Sequence, residues 1–349
     1  MTREATIGIS PQRVGGYERV TGVQQYLADI PFEDVLHAKL VSIPCGRGRI
    51  TSIDKRAALA VPGVRLVMSA EDLPQPVPRF GPHFQDRPVL AVGETKFHGE
   101  PVVAVAAETR DAAEEAARLV AIEYEELPGV YSVEQALADD APLVREPELR
   151  PADDPHRESN VLSTRVFGWG DVDAAEADLI IDESYRFPMV THFAIEPHAF
   201  AAAPVEDGIA IWSTIQHPYL LQKLMAKLLD MPLAKVRVYA PDPGGGFGGK
   251  QNIKLEPLVA LMALETGRPV RLVLTLDESF QANRRTSAQI RVRSGFTKDG
   301  RFVLEDITRD YLLGAYADIA DRVVSKSQYA AAGPYKVPSV RITARSILS

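Results

Sequence analysis

The sequence predicts a mixed α+β protein built from more than one domain, and three observations predict it. Apolar runs such as PVVAVAAE (101–108), typical of strands covered on both faces, stand beside helix-period stretches such as TRDAAEEAARLV. Beyond a proline- and charge-rich stretch over 137–160 the pattern becomes richer in strands. The 349 residues are enough for two or more hydrophobic cores.

Taken in order, residues 1–17 read as a polar arm with a turn at Gly15-Gly16. From 37 to 54, apolar clusters broken by Pro44, Gly46 and Gly48 read as two short strands and a turn. KRAALAV is a short helix ending at Pro62-Gly63, and VRLVMS a strand. Thr109 is a candidate N-cap for a helix whose spacing is set by Ala112, Ala116, Leu119 and Val120. Residues 18–130 thus form one α/β unit, and 131–160 an extended linker.

In 161–349 the expected strands are ADLIIDESYRF, the hairpin HAFAAAPVEDGIAIWSTIQ and the long hairpin from Ser287 to Tyr316, with turns at Asp207-Gly208 and Asp299-Gly300. Two helices interrupt them. One is PYLLQKLMAKLLD, buried through Leu220, Leu221, Leu224, Met225, Leu228 and Leu229; the other begins near Ile253 and is capped by Gly267.

Composition narrows the function classes. A net charge of −8 spread along the chain argues against nucleic acid, whose phosphates need a basic face. The single cysteine, Cys45, excludes an internal disulfide or an iron–sulfur cluster held by this chain alone, and reads as a small buried hydrophobe. No apolar stretch has the length of a signal peptide or a membrane span, so the expected setting is cytoplasmic.

The chemistry-bearing stretch is PDPGGGFGGKQ, 241–251. Gly244, Gly249 and Lys250 fit a phosphate-binding P-loop, and VRLVLTLDES (270–279) resembles the acidic strand that accompanies one. Against an ATPase, Gln251 stands where a Ser or Thr hydroxyl would bind magnesium, and the bulky Phe247 lies in mid-loop. A glycine-rich turn with no ligand is the bland alternative, although so many glycines carry an entropic cost.

VRVYAPDPGGGFGGK closely resembles the molybdenum-cofactor loop in large subunits of the xanthine dehydrogenase and aldehyde oxidase family. HAKLVSIPCGRGRITSIDKRAALAVPGVRLVMSAEDLP and FHGEPVVAVAAETRDAAEEAARLVAIEYEELPGV resemble its amino-terminal α/β hammerhead domain. HFAIEPHAFAA, IWSTIQHP, LLGAYADIA and GPYKVPSVRITAR find counterparts in order, from residue ~15 to the end. The resemblance implies a hammerhead domain over 18–130 and an incomplete first molybdopterin-binding domain over 161–349. It implies oxidation of an aldehyde or N-heteroaromatic substrate with water-derived oxygen. The cofactor would be a molybdopterin, as mononucleotide or cytosine dinucleotide, with 2Fe-2S clusters and FAD on partner subunits.

The resemblance also implies residue roles. Gln216, Gly245, Gly246, Phe247 and Gly248 would contact the cofactor, with Gln216 and Phe247 nearest the metal's own ligands. A neutral amide at Gln216 can donate to an oxo group without adding charge, and glycines let main-chain N–H groups approach closely. Phe247, Gln251 and Lys326 would line the substrate pocket. Gln251 replaces a glutamate of purine-hydroxylating relatives, which argues against xanthine; Lys326 aligns loosely with a substrate-orienting arginine, with surface solvation as the alternative. Glu196 in the EP motif, His192 and His198 read as structural, as do His98, Gly99 and Glu100. The family's substrate-side arginine loop and glutamate base fall beyond ITARSILS, so no catalytic base is assigned within 1–349. The expectation is half of a split large subunit, completed by a second molybdopterin-binding chain and working with Fe–S and FAD subunits; a shortened chain is the alternative. A non-catalytic scaffold and a carbon monoxide dehydrogenase-type or thioester-reducing relative remain open.

Overall fold

The computed structural model describes residues 7–349; the first six residues of the expected arm lie outside the described region. Two sheets organise the molecule. The larger has seven strands in the order Val236–Tyr239, Gly208–Ser213, Ala199–Val205, Val270–Val273, Leu36–Val41, Val103–Ala107 and Val64–Ser69. Three of its strands come from before residue 130 and four from after 160, joined where Leu36–Val41 runs parallel to Val270–Val273, with Leu36 opposite Val270. The two strands expected between 37 and 54 are both present, but they separate. Leu36–Val41 enters this large sheet, whereas Gly48–Asp54 pairs with Glu94–Thr95 and Ala121–Glu126 in a three-stranded one.

All five residues of Val103–Ala107 are buried, as a two-faced apolar run predicts. Its valines face one core, with Cys45, Ala58 and Ala116, under the helix Arg110–Leu119. Its alanines Ala104 and Ala106 face the other, with Leu36, Phe200, Ile209, Ile211, Leu272 and the helix residues Leu258 and Met262. Small side chains on that face let the Glu256–Thr266 helix lie close; seven of its eleven residues are buried, and Gly267 ends it at φ 64°. Pro218–Leu228 buries Leu221 and Met225 fully, with Leu224, Leu228 and Leu229 at the margin. Thr109 caps Arg110–Leu119 by accepting from the Ala112 N–H, as expected.

The second sheet has the order Leu179–Phe187, Ser287–Phe296, Phe302–Leu312, Ser339–Ile347, Val161–Trp169. The last two of these strands and the helix Ala320–Tyr329 are not among the expected elements. The stretch between the units is not a loose tether. Val133, Ala136 and Val144 pack with Leu162, Ala315, Ile347 and Leu348. Arg150, buried, donates to the Ser159 and Val161 carbonyls at 2.8 and 2.7 Å. Two of its arginines, Arg145 and Arg150, are turned inward, Arg150 to hold irregular backbone, although the composition suggests a tether.

Two local expectations need correction. VRLVLTLDES is a strand only through Val273; Leu276–Ala282 is a helix, capped by Thr275 in a reciprocal capping box with Glu278. Glu278 is occupied by that cap and by Lys39 at 2.7 Å, so it is no metal-binding strand terminus. The helix expected near Ile253 begins at Glu256, whose carboxylate accepts from the Lys254 N–H and the Ser213 hydroxyl. The glycine loop therefore does not run directly into a helix N-terminus.

Candidate functional site

The site grows from the free end of the seven-stranded sheet. The glycine loop leaves the edge strand Val236–Tyr239, and Gln216 follows its neighbour Gly208–Ser213. An arch over 188–198 crosses from the five-stranded sheet to the seven-stranded one, carrying Glu196 and His198.

Gln216 and the loop are bonded at two points. The Gln216 N–H donates to the Lys250 carbonyl at 2.7 Å, and its side-chain Oε1 accepts from the Gly248 N–H at 3.1 Å. A Cβ on Gly246 would stand 2.8 Å from Gln216 Cδ, so glycine is required there for close approach. Gly245, Phe247 and Gly248 have φ of 112°, 50° and 87°. Left-handed residues on either side of Gly246 are the kind of backbone from which anion-binding nests are built. Among the described residues the N–H groups of Gly245, Gly246 and Phe247 donate to nothing, and neither does Gln216 Nε2. Four donors are thus left free in one place, beside the exposed Phe247 ring. This is the donor set an oxo- or pterin-bearing anionic group requires, so the residues present fit the cofactor the resemblance implies.

Lys250 does not serve this face. It is buried beneath the loop, its Nζ 2.7 Å from Glu196 Oε2 and 3.1 Å from the Glu196 carbonyl. A P-loop lysine reaches out to phosphate; this one is spent inside the protein, and the ATPase reading loses its central residue. Asn283, which no motif flagged, donates to the Gly249 carbonyl at 2.7 Å. His198 stacks on Phe200, and burial, with Lys254 and Lys250 nearby, depresses its pKa to about 3. His192 packs under Gly249 and is also depressed, first by burial and then by Lys254 and Arg285. Both are neutral packing groups at neutral pH.

Gln251 lies next to the loop, its Nε2 3.7 Å from where a Cβ of Gly248 would be. Lys326 is exposed on the Ala320–Tyr329 helix, which packs on the second sheet, and no hydrogen bond or ion pair among the described residues joins it to the loop. Gly99 and Glu100 sit in the scaffold: buried Glu100 accepts from the Tyr316 hydroxyl and the Lys96 N–H, both at 2.6 Å. Phe193, Ile195 and Phe247 are 55%, 87% and 74% exposed, an apolar rim around the free donors.

A hammerhead-type unit sharing its sheet with a glycine-loop unit defines the cofactor-holding component of a molybdenum-dependent oxidoreductase. Residues 21–128 match the aldehyde oxidase and xanthine dehydrogenase a/b hammerhead domain, and residues 154–349 the molybdopterin cofactor-binding domain. The chain belongs to this molybdopterin-binding aldehyde oxidase and xanthine dehydrogenase family.

It is 31% identical to the nicotinate dehydrogenase large molybdopterin subunit of Eubacterium barkeri, over 98% of this chain and 78% of that protein. It is 32% identical to a probable xanthine dehydrogenase subunit of Bacillus subtilis, over 97% of this chain and 45% of that one. The crystal structure of quinoline 2-oxidoreductase from Pseudomonas putida 86 superposes with a TM-score of 0.88 at 28% identity, covering 99% of this chain and 45% of that chain. The chain therefore spans most of the first relative and under half of the other two. No helix among the described residues is long and apolar enough to cross a membrane.

Proposed function

We propose that this chain holds one side of a molybdopterin in a hydroxylase acting on an N-heteroaromatic compound or an aldehyde, and that a second polypeptide segment covers the other side. The observation that carries the reading is the cluster of free donors: Gln216 Nε2 and the Gly245, Gly246 and Phe247 N–H groups, gathered because Gly246 carries no side chain. When bound, the molybdenum–pterin group supplies a two-electron oxidation that inserts water-derived oxygen into the substrate. Gln216 donates to the group without adding charge; the loop amides hold its anionic face already oriented, so little reorganisation is needed on binding. Phe247 excludes water from that face. Gln251, whose amide offers both a donating NH2 and an accepting carbonyl, suits a ring nitrogen in either protonation state. Three relatives named for nicotinate, xanthine and quinoline support the heteroaromatic class.

The covering segment is a second molybdopterin-binding chain or domain, which would also bring the catalytic base. The uncovered apolar rim of Phe193, Ile195 and Phe247 supports it. Electrons would pass to 2Fe-2S and FAD subunits in the cytoplasm, and the pterin would carry a mononucleotide or cytosine dinucleotide.

Gly246→Ala is the test. Its backbone φ tolerates a side chain, so the methyl pushes aside the Gln216 amide and leaves the fold intact. In the assembled protein, dye reduction should fall about 100-fold, as for loss of one oriented donor, with an unchanged melting temperature. Wild-type turnover in that variant would overturn the reading. The isolated chain should retain no molybdenum by elemental analysis and reduce no dye.

A further inference from the structure

We infer that Glu196 is a positioning residue for the cofactor loop, acting through both ends of the loop; this rests on the function proposed above. A single atom, Glu196 Oε2, accepts from the Gly244 N–H at 2.7 Å and from Lys250 Nζ at 2.7 Å. Those two partners flank the free donors of Gly245, Gly246 and Phe247, so the carboxylate closes the loop like a clasp. The bond is returned at the backbone: the Glu196 N–H donates to the Gly244 carbonyl at 3.2 Å.

Three features make the clasp stiff. Both charged side chains are buried, Lys250 at 2% and Glu196 at 9% exposure, so opening it strands a charge in the interior. Gly244 has no room for a side chain, because its Cβ would lie 2.5 Å from Glu196 Cβ. Asn283 grips the Gly249 carbonyl independently, so the Lys250 end cannot swing away alone. The second carboxylate oxygen, Oε1, is buried without a partner among the described residues. The same side chain lines a small depression with Phe193, Phe280 and Asn283. Glu196 belongs to the arch between the sheets, so the clasp also links the loop to the strand system that the second polypeptide would cover.

Glu196→Gln keeps the shape and removes the charge; Glu196→Asp keeps the charge and shortens the reach. Hydrogen exchange on the full chain reads the clasp without any cofactor. The hydrogen-bonded loop amides of Gly244, Gly248 and Gly249 should exchange at least about tenfold faster in Glu196→Gln, and those of the Ala199–Val205 and Gly208–Ser213 strands at the wild-type rate. In the assembled enzyme the same variant should lower kcat at least about tenfold, with KM within about twofold, and shift the molybdenum paramagnetic resonance signal. Glu196→Asp should fall between wild type and Gln in each measurement. Unchanged exchange at Gly244, Gly248 and Gly249 would overturn the clasp. Faster exchange with a wild-type resonance signal and kcat would reduce it to scaffolding and overturn the positioning role. If the assembled wild type held no molybdenum, the proposed function would fall, and exchange alone would judge the clasp.

Discussion

The seven-stranded sheet is buried through its middle, whereas the five-stranded sheet has a fully exposed edge strand. In the first, Leu36–Val41 is paired on both sides and Val103–Ala107 is buried along its whole length. In the second, Leu179–Phe187 pairs only with Ser287–Phe296, and all nine of its residues are exposed, including Leu179, Ile181, Tyr185 and Phe187. An open apolar edge of that length is a liability in a free chain and an asset in a complex. The glycine loop hangs from an edge strand of the larger sheet, and the arch bearing Glu196 leaves the exposed edge of the smaller one. The better-buried sheet carries the free donors, and the exposed edge strand leads into the arch beside them.

Four perturbations would break or sharpen that contrast. The largest effect is expected at Asp86, whose carboxylate is paired with buried Arg145 and accepts from the Ala317 N–H, tying the two units together. Asp86→Ala leaves the guanidinium unpaired and should cost about 3–5 kcal/mol in urea unfolding. Next, Leu272→Ala empties a fully buried position of the larger sheet and should cost about 2–5 kcal/mol by the same measurement.

Third is acid. His198 has a folded pKa of about 3, whereas an unfolded histidine titrates near 6.5. Between those values the unfolded chain binds the extra proton, so stability falls as pH drops, by about 1 kcal/mol per pH unit from this group. His198→Gln should flatten that limb of a pH–stability curve. The smallest effect belongs to the open edge: Ile181→Ser should change the unfolding free energy of the free chain by under about 0.5 kcal/mol. A large loss there would mean that the second sheet is closed after all.

Much of this is legible in sequence where short-range physics decides. Val103–Ala107 announces its double burial, Thr109 its cap, and Asp207-Gly208 and Asp299-Gly300 their hairpins, each through neighbours a few residues away. The close-approach loop is legible because five glycines between 244 and 249 have few other uses. What sequence does not supply is pairing at a distance. Nothing near Leu36 signals Val270, and nothing in the charged 131–160 stretch signals that Arg145 and Arg150 turn inward. VRLVLTLDES misleads because its apolar run is half strand and half helix; the decisive contact is the Thr275–Glu278 capping box, which the Asp-Glu pair overshadows. Asn283 carries no signal at all, since an asparagine that grips a carbonyl looks like any other surface amide.

The pairing of Leu36 with Val270 reaches beyond the finished molecule. Emerging from the ribosome at about 5–20 residues per second, the first strand must wait roughly 10–50 s for its neighbour to be made. Until then the cover that Phe200, Ile209, Leu258 and Met262 give its apolar face is missing. The amino-terminal third is therefore the stretch of the nascent polypeptide that chaperones would have to shield longest.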